Sequence, residues 1–236
     1  MEVAVDRIGT DESGKGDYFG PLVVAAVHAT KEEERLLTEM GVKDSKKLSD
    51  RKTLELEPKI RSACRHNVVK INPPKYNTLR AKLGNLNLLL AWAHARAIEN
   101  LLGGVKCSLV ISDQFGDEKY LRQKLMREGR RVKLVQKPRA ESDIAVAAAS
   151  VIARATFLRS LEAMSKSYGI RFPKGATEVE HAAKMFVNAY GVERLQEVAK
   201  IHFKTTGRVV GGIHSLSNEV QPGTRHESGL RVPPLP

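Results

Sequence analysis

The sequence predicts an α/β protein in which helices flank a mixed β-sheet. Segments with the apolar pattern of strands alternate along the chain with segments of helical periodicity, as in α/β folds. The first two strands, residues 3–12 and 20–29, are joined by a glycine-rich turn and should form an antiparallel hairpin. Helices connect the later strands, so the sheet should combine antiparallel and parallel pairs.

Periodicity and capping residues then place the remaining elements. A helix is expected over residues 31–40, where Glu32, Glu33 and Glu34 suit the positive end. The other expected elements are, in order, a helix at 50–65, a strand at 68–71 ended by Asn72-Pro-Pro, a helix at 85–102, a buried strand at 107–111, a helix at 117–128, a strand at 132–135, a long helix at 143–164, a loop at 170–176, and helices at 178–190 and 192–200.

Composition limits the partners. The chain has 236 residues, of which 42% are hydrophobic, enough for one sizeable domain or two small ones. Its net charge of +12 favours a polyanion, most often nucleic acid. An anionic membrane surface is the competing explanation, but the sequence has no lipidation motif and no basic amphipathic terminus.

Cysteine usage and terminal sequence bear on the compartment. Cys64 and Cys107 have no metal-site spacing and are expected to be reduced thiols. The chain has neither an N-terminal signal segment nor an apolar run of membrane-spanning length. We therefore expect a cytoplasmic protein that does not enter a membrane. We also expect it to be a monomer, with a folded domain over residues 1–214 and a flexible tail over residues 215–236.

Two adjacent carboxylates, Asp11 and Glu12, end the first strand and precede the turn Gly14-Lys-Gly16. Their side chains should point to opposite sides of the strand. Most Asp-Glu pairs are solvated surface features, so a functional interpretation needs further carboxylates. Asp113 follows the buried strand at 107–111, and Glu141 and Asp143 precede the long helix.

Each of the later acids also has a structural explanation. Asp113 could be a cap, and capping is the favoured role of Asp143, because acids stabilise helix N-termini. If several carboxylates do converge, their repulsion requires neutralising cations. Oxygen ligands favour Mg²⁺ or Mn²⁺, and two such ions can act on a phosphodiester.

Basic segments lie near these acids in the sequence. We expect them to follow a phosphate backbone, although a charge run is usually a solvated face. Aromatic residues make up only 5% of the chain, which favours a duplex over stacked single strands. The two segments are Lys43, Lys46, Lys47, Arg51 and Lys52, and Arg122, Lys124, Arg127, Arg130, Arg131, Lys133, Lys137 and Arg139.

Other reactive side chains carry less weight. Ser45 and Ser150 have no histidine partner in a recognisable motif, which argues against serine nucleophiles. His181 and His202 lie in amphipathic segments and are expected to be structural, although His202 could approach a phosphate.

Taken together, the motifs resemble type 2 ribonucleases H, specifically the ribonuclease HIII family, over about residues 6–210. Ser13 and Lys15 stand where the HII sister group usually has alanine and arginine. The matching motifs are Asp11-Glu-Ser-Gly-Lys-Gly16, Asp44-Ser-Lys-Lys-Leu48, Tyr76-Asn77, Gly84-Asn-Leu-Asn87, Ala91-Trp-Ala-His94, Ser112-Asp-Gln-Phe115, Ala140-Glu141 with Val146-Ala-Ala-Ala-Ser150, Pro173-Lys-Gly-Ala176 and Lys200-Ile-His-Phe203.

The resemblance implies an RNase H-like fold and endonucleolytic, metal-dependent cleavage of the RNA strand of RNA–DNA hybrids, leaving 3′-hydroxyl and 5′-phosphate ends. It implies four acidic site residues, Asp11, Glu12, Asp113 and Glu141, with Asp143 as a rival for the fourth place, and metal ligation by the first three. The substrate-binding residues it implies are Ser13, Gly14, Lys15, Gly16, Lys46 and Lys47, with the ribose 2′-hydroxyl read by the glycine-lysine-glycine backbone.

Two alternatives remain open, and one departure from the family is noted. The chain could incise duplex DNA at single embedded ribonucleotides, as HII enzymes do, or bind hybrids without cleaving them. HIII proteins usually carry an N-terminal substrate-binding domain, and this sequence begins only a few residues before the first family strand, so we expect that domain to be absent.

Overall fold

The structure, a computed structural model, describes residues 6–218, without side chains for residues 212–218. Five strands form one sheet in the order β3-β2-β1-β4-β5. Their bounds are β1 Arg7–Ser13, β2 Leu22–Ala29, β3 His66–Ile71, β4 Leu109–Asp113 and β5 Lys133–Lys137. β1 and β2 are antiparallel, as are β2 and β3, whereas β1, β4 and β5 run parallel. The predicted mixed sheet is therefore confirmed, and the carboxyl ends of β1, β4 and β5 share one edge.

Helices cover both faces of this sheet. The α-helices are α1 Lys31–Glu39, α2 Asp50–Ala63, α3 Pro73–Leu83, α4 Leu86–Leu102, α5 Glu118–Lys124, α6 Ile144–Tyr168, α7 Glu180–Tyr190 and α8 Lys204–Asn218. Short 3₁₀ turns occupy Ser45–Lys47, Gly129–Arg131, Ala140–Ser142 and Val192–Glu197. One face of β2 packs with α6 and α2, and its other face packs with α4, so the sheet lies between two apolar layers.

Helix α6 is the central support of the fold. It packs directly on β1, and a side-chain carbon at Gly9 would lie 2.1 Å from the backbone nitrogen of Val146. The alanine-rich first half of α6 makes this approach possible, because small side chains let helix and strand backbones come close. By length and composition α6 could cross a membrane, but 67% of its most apolar stretch is buried inside the protein, as in the core helix of a soluble fold.

Two helices differ from the sequence expectation. Asn72-Pro-Pro ends β3 as predicted, yet it also begins α3, because proline is tolerated in the first turn of a helix. Helix α8 was not predicted, since glycines at 207, 211 and 212 lower its intrinsic propensity. It continues past the expected boundary at residue 214 to Asn218. The rest of the expected tail, residues 219–236, lies outside the described residues.

Smaller differences concern the ends of elements. Residues 192–200 were expected to form an α-helix, but the structure has a 3₁₀ turn at Val192–Glu197. Strand β4 begins later than expected and includes Asp113 as its last residue. The strand hydrogen bonds extend this far because Asp113 pairs with Lys137 of β5.

Substituting Gly9 by alanine should destabilise the protein by about 3 kcal/mol or more, because the added carbon meets backbone that cannot move aside. The measurement is urea unfolding, compared with Gly104→Ala, where the nearest atom to the added carbon beyond the adjoining residues is the Leu101 carbonyl oxygen at 3.8 Å. We expect the Gly104 variant to stay within about 1 kcal/mol of wild type. Equal unfolding midpoints for both variants would contradict this account of the β1–α6 contact.

Candidate active site

Two aspartates meet at the shared edge of the sheet. Thr10 of β1 pairs with Ser112 of β4, so the next residues along the two parallel strands are Asp11 and Asp113. Neighbours in register point to the same face of a sheet, here the face covered by α6. Two strands far apart in sequence therefore bring these carboxylates side by side.

Asp11 is a buried carboxyl group with two acidic neighbours. Only 6% of the residue is exposed. Burial raises its pKa to about 8, and the charges of Glu12 and Asp113 act in the same direction. Hydrogen bonds from the Glu12 backbone N–H, at 2.8 Å, and from the Ser150 side chain in α6 offset part of this effect. An ionised Asp11 therefore needs a positive partner at neutral pH.

Glu12 points to the opposite face of the sheet, as the alternation of strand side chains predicts. Its Oε2 lies 3.1 Å from His94 Nε2 in α4, and its Oε1 lies 3.5 Å from Lys15 Nζ. Burial alone would raise the pKa of Glu12, but His94 and then Lys15 lower it below its usual value. The two adjacent carboxyl groups are thus driven apart in pKa, the pattern of paired acids with different roles.

Glu141 lies in the turn after β5, beside Asp113. The backbone N–H of Ala140 donates to Asp113 Oδ1 at 3.1 Å, which ties the turn to the end of β4. Arg139, just before it, has a left-handed backbone with φ of 54° and ψ of 39°, a conformation that costs a non-glycine residue about 1 kcal/mol. Glu141 is half-buried and acts electrostatically on Lys46.

Asp143, the sequence rival of Glu141, has a structural role. Its Oδ1 accepts from the backbone N–H groups of Ala145 and Val146 at the start of α6. Its other oxygen accepts from Arg7 Nε, and the two side chains are about 10% exposed. The predicted capping role is confirmed, and both carboxylate oxygens already have partners.

Lys46 reaches the acidic cluster from a separate turn. Burial alone would lower its pKa, but Asp11, Asp44, Glu141 and Asp113 together raise it. Helix α6 holds the Ser45–Lys47 turn through two of its side chains. The Ser45 and Ser150 hydroxyls lie 2.6 Å apart, and Arg154 donates to the Ser45 carbonyl oxygen at 2.7 Å. Lys47 follows on the same turn and is exposed.

The glycine-lysine-glycine turn has a conformation that its sequence requires. Gly14 has a φ of +85°, and a side-chain carbon there would lie 2.1 Å from the Pro21 carbonyl oxygen. Gly16 is exposed, with no neighbouring atom within 4 Å of such a carbon. One glycine therefore lets the turn close, and the other leaves backbone open to a ligand. Ser13 ends β1 just before this turn.

A buried lysine holds the segment that follows the turn. Lys200 is 0% exposed, and its ammonium donates to the carbonyl oxygens of Asp17 at 2.8 Å and Gly20 at 2.7 Å. Burial lowers its pKa to about 7, against an opposite effect of Asp17. Backbone hydrogen bonds from Lys200 to Tyr18 and from Gly20 to Val198 complete the attachment. The C-terminal part of the chain thus fixes the loop near the N-terminus.

The acidic side chains influence one another electrostatically but do not form a complete metal-binding site. Within residues 6–218, no group of three or more His, Cys, Asp or Glu side chains is gathered closely enough to hold a metal ion as it stands. Glu12 and Asp113 nevertheless both raise the pKa of Asp11, and Asp11, Glu141 and Asp113 all raise the pKa of Lys46. The excess of negative charge around Asp11 and the all-oxygen donors fit Mg²⁺ or Mn²⁺.

Sequence reasoning gave two contributors no role in the site. Ser150, considered as a nucleophile and noted at the end of a motif, instead contacts Asp11 and the Ser45 turn. His94 had been noted only as part of a motif, yet it contacts Glu12. A signal was present for His94, because it interrupts the apolar face of the helix at 85–102, where a buried histidine needs polar partners.

Comparisons with known proteins identify relatives of this chain. The family model of ribonuclease HII matches residues 8–206. Ribonuclease HIII of Protochlamydia amoebophila is 46% identical over 208 residues, which are 88% of this chain and 69% of that protein. Ribonuclease HIII of Chlamydia pneumoniae is 45% identical over 213 residues, 87% of this chain and 70% of that protein.

A solved structure gives the same result. The crystal structure of Bst-RNase HIII in complex with Mn²⁺ has a TM-score of 0.81 and 34% identity, covering 88% of this chain and 70% of that one. The chain therefore spans about 70% of the length of the relatives described. By sequence and fold the chain belongs to the ribonuclease HII family, and within that family it groups with the ribonucleases HIII. These are metal-dependent enzymes that cleave the RNA strand of RNA–DNA hybrids.

Proposed function

We propose that Asp11, Glu12, Asp113 and Glu141 form the catalytic centre of this ribonuclease, and that the first three ligate Mg²⁺ or Mn²⁺. The observation that carries the proposal is the pair of a buried Asp11 and a half-buried Asp113 at the ends of β1 and β4, where burial, Glu12 and Asp113 all raise the pKa of Asp11. A fold that buries like charges together needs a cation at that place. Catalysis supplies a reason to keep so costly an arrangement.

The chain's own residues would prepare the reaction in distinct ways. Bound ions would supply the positive charge that activates a water and stabilises the leaving oxygen of a phosphodiester. Asp11 and Asp113 present oxygens from the rigid ends of two strands, while the Ala140 N–H holds one oxygen of Asp113. Glu141, on a turn rather than a strand, has the freedom to orient water. Cleavage by this route leaves a 3′-hydroxyl and a 5′-phosphate.

Substrate binding would use the two turns beside the acids. In this proposal, the exposed backbone at Gly16, with Ser13 and Gly14, contacts the ribose 2′-hydroxyl, the group that distinguishes RNA from DNA. Lys15, Lys46 and Lys47 contact phosphates. Lys137 lies beside Asp113 in the strand register and is exposed, so the second basic segment reaches the same edge near its C-terminal end. The enzyme is proposed to act as a cytoplasmic monomer.

Asp113→Asn should reduce hybrid cleavage by about 1,000-fold or more, equivalent to about 4 kcal/mol in the activation free energy. The amide removes the negative charge but keeps an oxygen for the Ala140 N–H, so hybrid binding should change little. Cleavage and binding are measured on a fluorescent hybrid. The control is Asp117→Asn, at the exposed cap of α5, which should keep activity within about twofold because asparagine also caps helices. Undiminished cleavage by the Asp113 variant would refute the assignment.

Asp11→Asn should stabilise the metal-free protein, increasingly so from pH 5 to pH 8. The pKa of Asp11 is about 8 in the folded state and about 4 when unfolded. The folded state therefore binds more protons between these values, and wild-type stability falls as pH rises through that window. Asparagine removes this dependence and keeps the acceptor for the Glu12 N–H.

The measurement is urea unfolding of both proteins in EDTA across this pH range. The difference in unfolding free energy should grow to about pH 8 and then level off. A difference that stays constant with pH would contradict the raised pKa of Asp11.

A uniform hybrid should be cleaved faster than a DNA duplex with one embedded ribonucleotide. The uniform substrate offers a 2′-hydroxyl at every register, so the Gly14–Gly16 backbone meets a ribose wherever the duplex binds. Initial rates on both substrates, each with Mg²⁺ and with Mn²⁺, provide the test. Preferential cutting at the single ribonucleotide would favour the HII-like alternative, and binding without cleavage of either would favour a non-catalytic role.

A further inference from the structure

His94 is fully buried in α4, and both of its ring nitrogens face polar side chains of β1. Nδ1 lies 2.9 Å from Thr10 Oγ1, and Nε2 lies 3.1 Å from Glu12 Oε2. The residue is 0% exposed, as is Thr10. A buried imidazole with two partners is well accommodated, but one that bridges a hydroxyl and a site carboxylate constrains that carboxylate.

The partners fix the direction of the hydrogen bonds. An ionised carboxylate can only accept, so His94 Nε2 carries the hydrogen that it shares with Glu12. In the neutral ring Nδ1 then accepts, and the Thr10 hydroxyl donates to it. In either protonation state Nε2 donates to Glu12 and Nδ1 pairs with the Thr10 hydroxyl, so Thr10 orients the ring and the ring orients Glu12.

The ring itself is held by the second strand of the site. Its plane stacks on Phe115, with centroids 4.7 Å apart and an interplanar angle of 23°. Phe115 comes two residues after Asp113 and is 8% exposed. The imidazole is therefore positioned from β1 through Thr10 and from the end of β4 through Phe115, which are the same two strands that carry the acids.

This arrangement leaves the two oxygens of Glu12 with different surroundings. Oε2 is hydrogen-bonded to the buried His94, whereas Oε1 lies 3.5 Å from Nζ of the partly exposed Lys15. A carboxylate held by one oxygen loses less side-chain freedom when its other oxygen binds a cation. Partners that orient a ligand in this way typically change metal affinity by about 10- to 100-fold.

We propose that His94 is a positioning residue that holds Glu12 for metal binding, with Thr10 orienting the His94 ring. This inference rests on the proposed role of Glu12 as a metal ligand. In this inference His94 acts through its hydrogen bond to Glu12 and is not itself a metal ligand. Its effect should therefore appear in metal affinity rather than in the chemical step.

The test measures the affinity of the full chain for Mn²⁺, without substrate, by calorimetric titration. His94→Phe keeps an aromatic ring to stack on Phe115 but removes both nitrogens, and should weaken Mn²⁺ binding about tenfold or more. His94→Gln should retain affinity within about threefold, because its amide nitrogen can replace Nε2 as the donor to Glu12. Thr10→Val, nearly the same shape as threonine, should weaken binding by an intermediate factor.

Kinetics and stability separate positioning from a merely structural role. For His94→Phe, the Mn²⁺ concentration for half-maximal cleavage should rise as the binding constant does, while kcat at saturating Mn²⁺ stays within about threefold of wild type. Thermal unfolding curves give the temperature at which each variant begins to unfold, and all titrations are made well below the lowest of these temperatures.

Two outcomes count against the inference in different ways. Unchanged Mn²⁺ affinity in His94→Phe, or in Thr10→Val if the phenylalanine variant does not fold, would overturn the role of His94 alone. If wild-type protein bound no Mn²⁺, or if Asp113→Asn cleaved normally, the proposed site itself would fail and this inference with it.

Discussion

The repulsion between carboxylates clustered around the buried Asp11 at the edge of the sheet is the constraint to which the surrounding structure responds. Asp11 and Asp113 lie on neighbouring strands, and Glu12 adds a third charge. Around them the chain places the donors available to it, including the Ala140 N–H, the Ser150 hydroxyl, His94 and Lys46. These contacts lower the pKa of Glu12 but leave that of Asp11 raised. The remaining imbalance is what makes the site suitable for cations.

Such a site requires rigid supports, and the fold supplies them from distant segments. Helix α6 approaches β1 at Gly9 and brings Ser150 to Asp11. Asp143 anchors the start of this helix to Arg7 of β1. The segment at Lys200 holds the loop after the glycine turn. The acidic groups and the turns proposed to bind substrate are therefore fixed by the same core, although the supporting segments come from the beginning, middle and end of the chain.

Much of this could be predicted from the sequence, for definite reasons. Strand and helix periods predicted the five strands, and the short connection between the first two predicted their antiparallel pairing. Asp113 could be placed at a strand end because a buried apolar run precedes it. By contrast, α3 begins with two prolines and α8 contains three glycines, so local propensity argued against helices that tertiary packing stabilises. The contacts that occupy both oxygens of Asp143 also required coordinates, since Glu141 and Asp143 are both suitable helix caps by sequence alone.

By itself, the sequence determined which chemical groups are present, how strands and helices alternate, and that adjacent Asp11 and Glu12 point to opposite faces of one strand. These properties depend on neighbours in the chain. Only the tertiary structure decided that β4 lies parallel to β1 with Asp113 next to Asp11, that His94 contacts Glu12, and that Asp143 is occupied by Arg7. Strand register and side-chain packing are set by contacts between residues up to 136 positions apart, and a local pattern carries no information about which distant partner will be met.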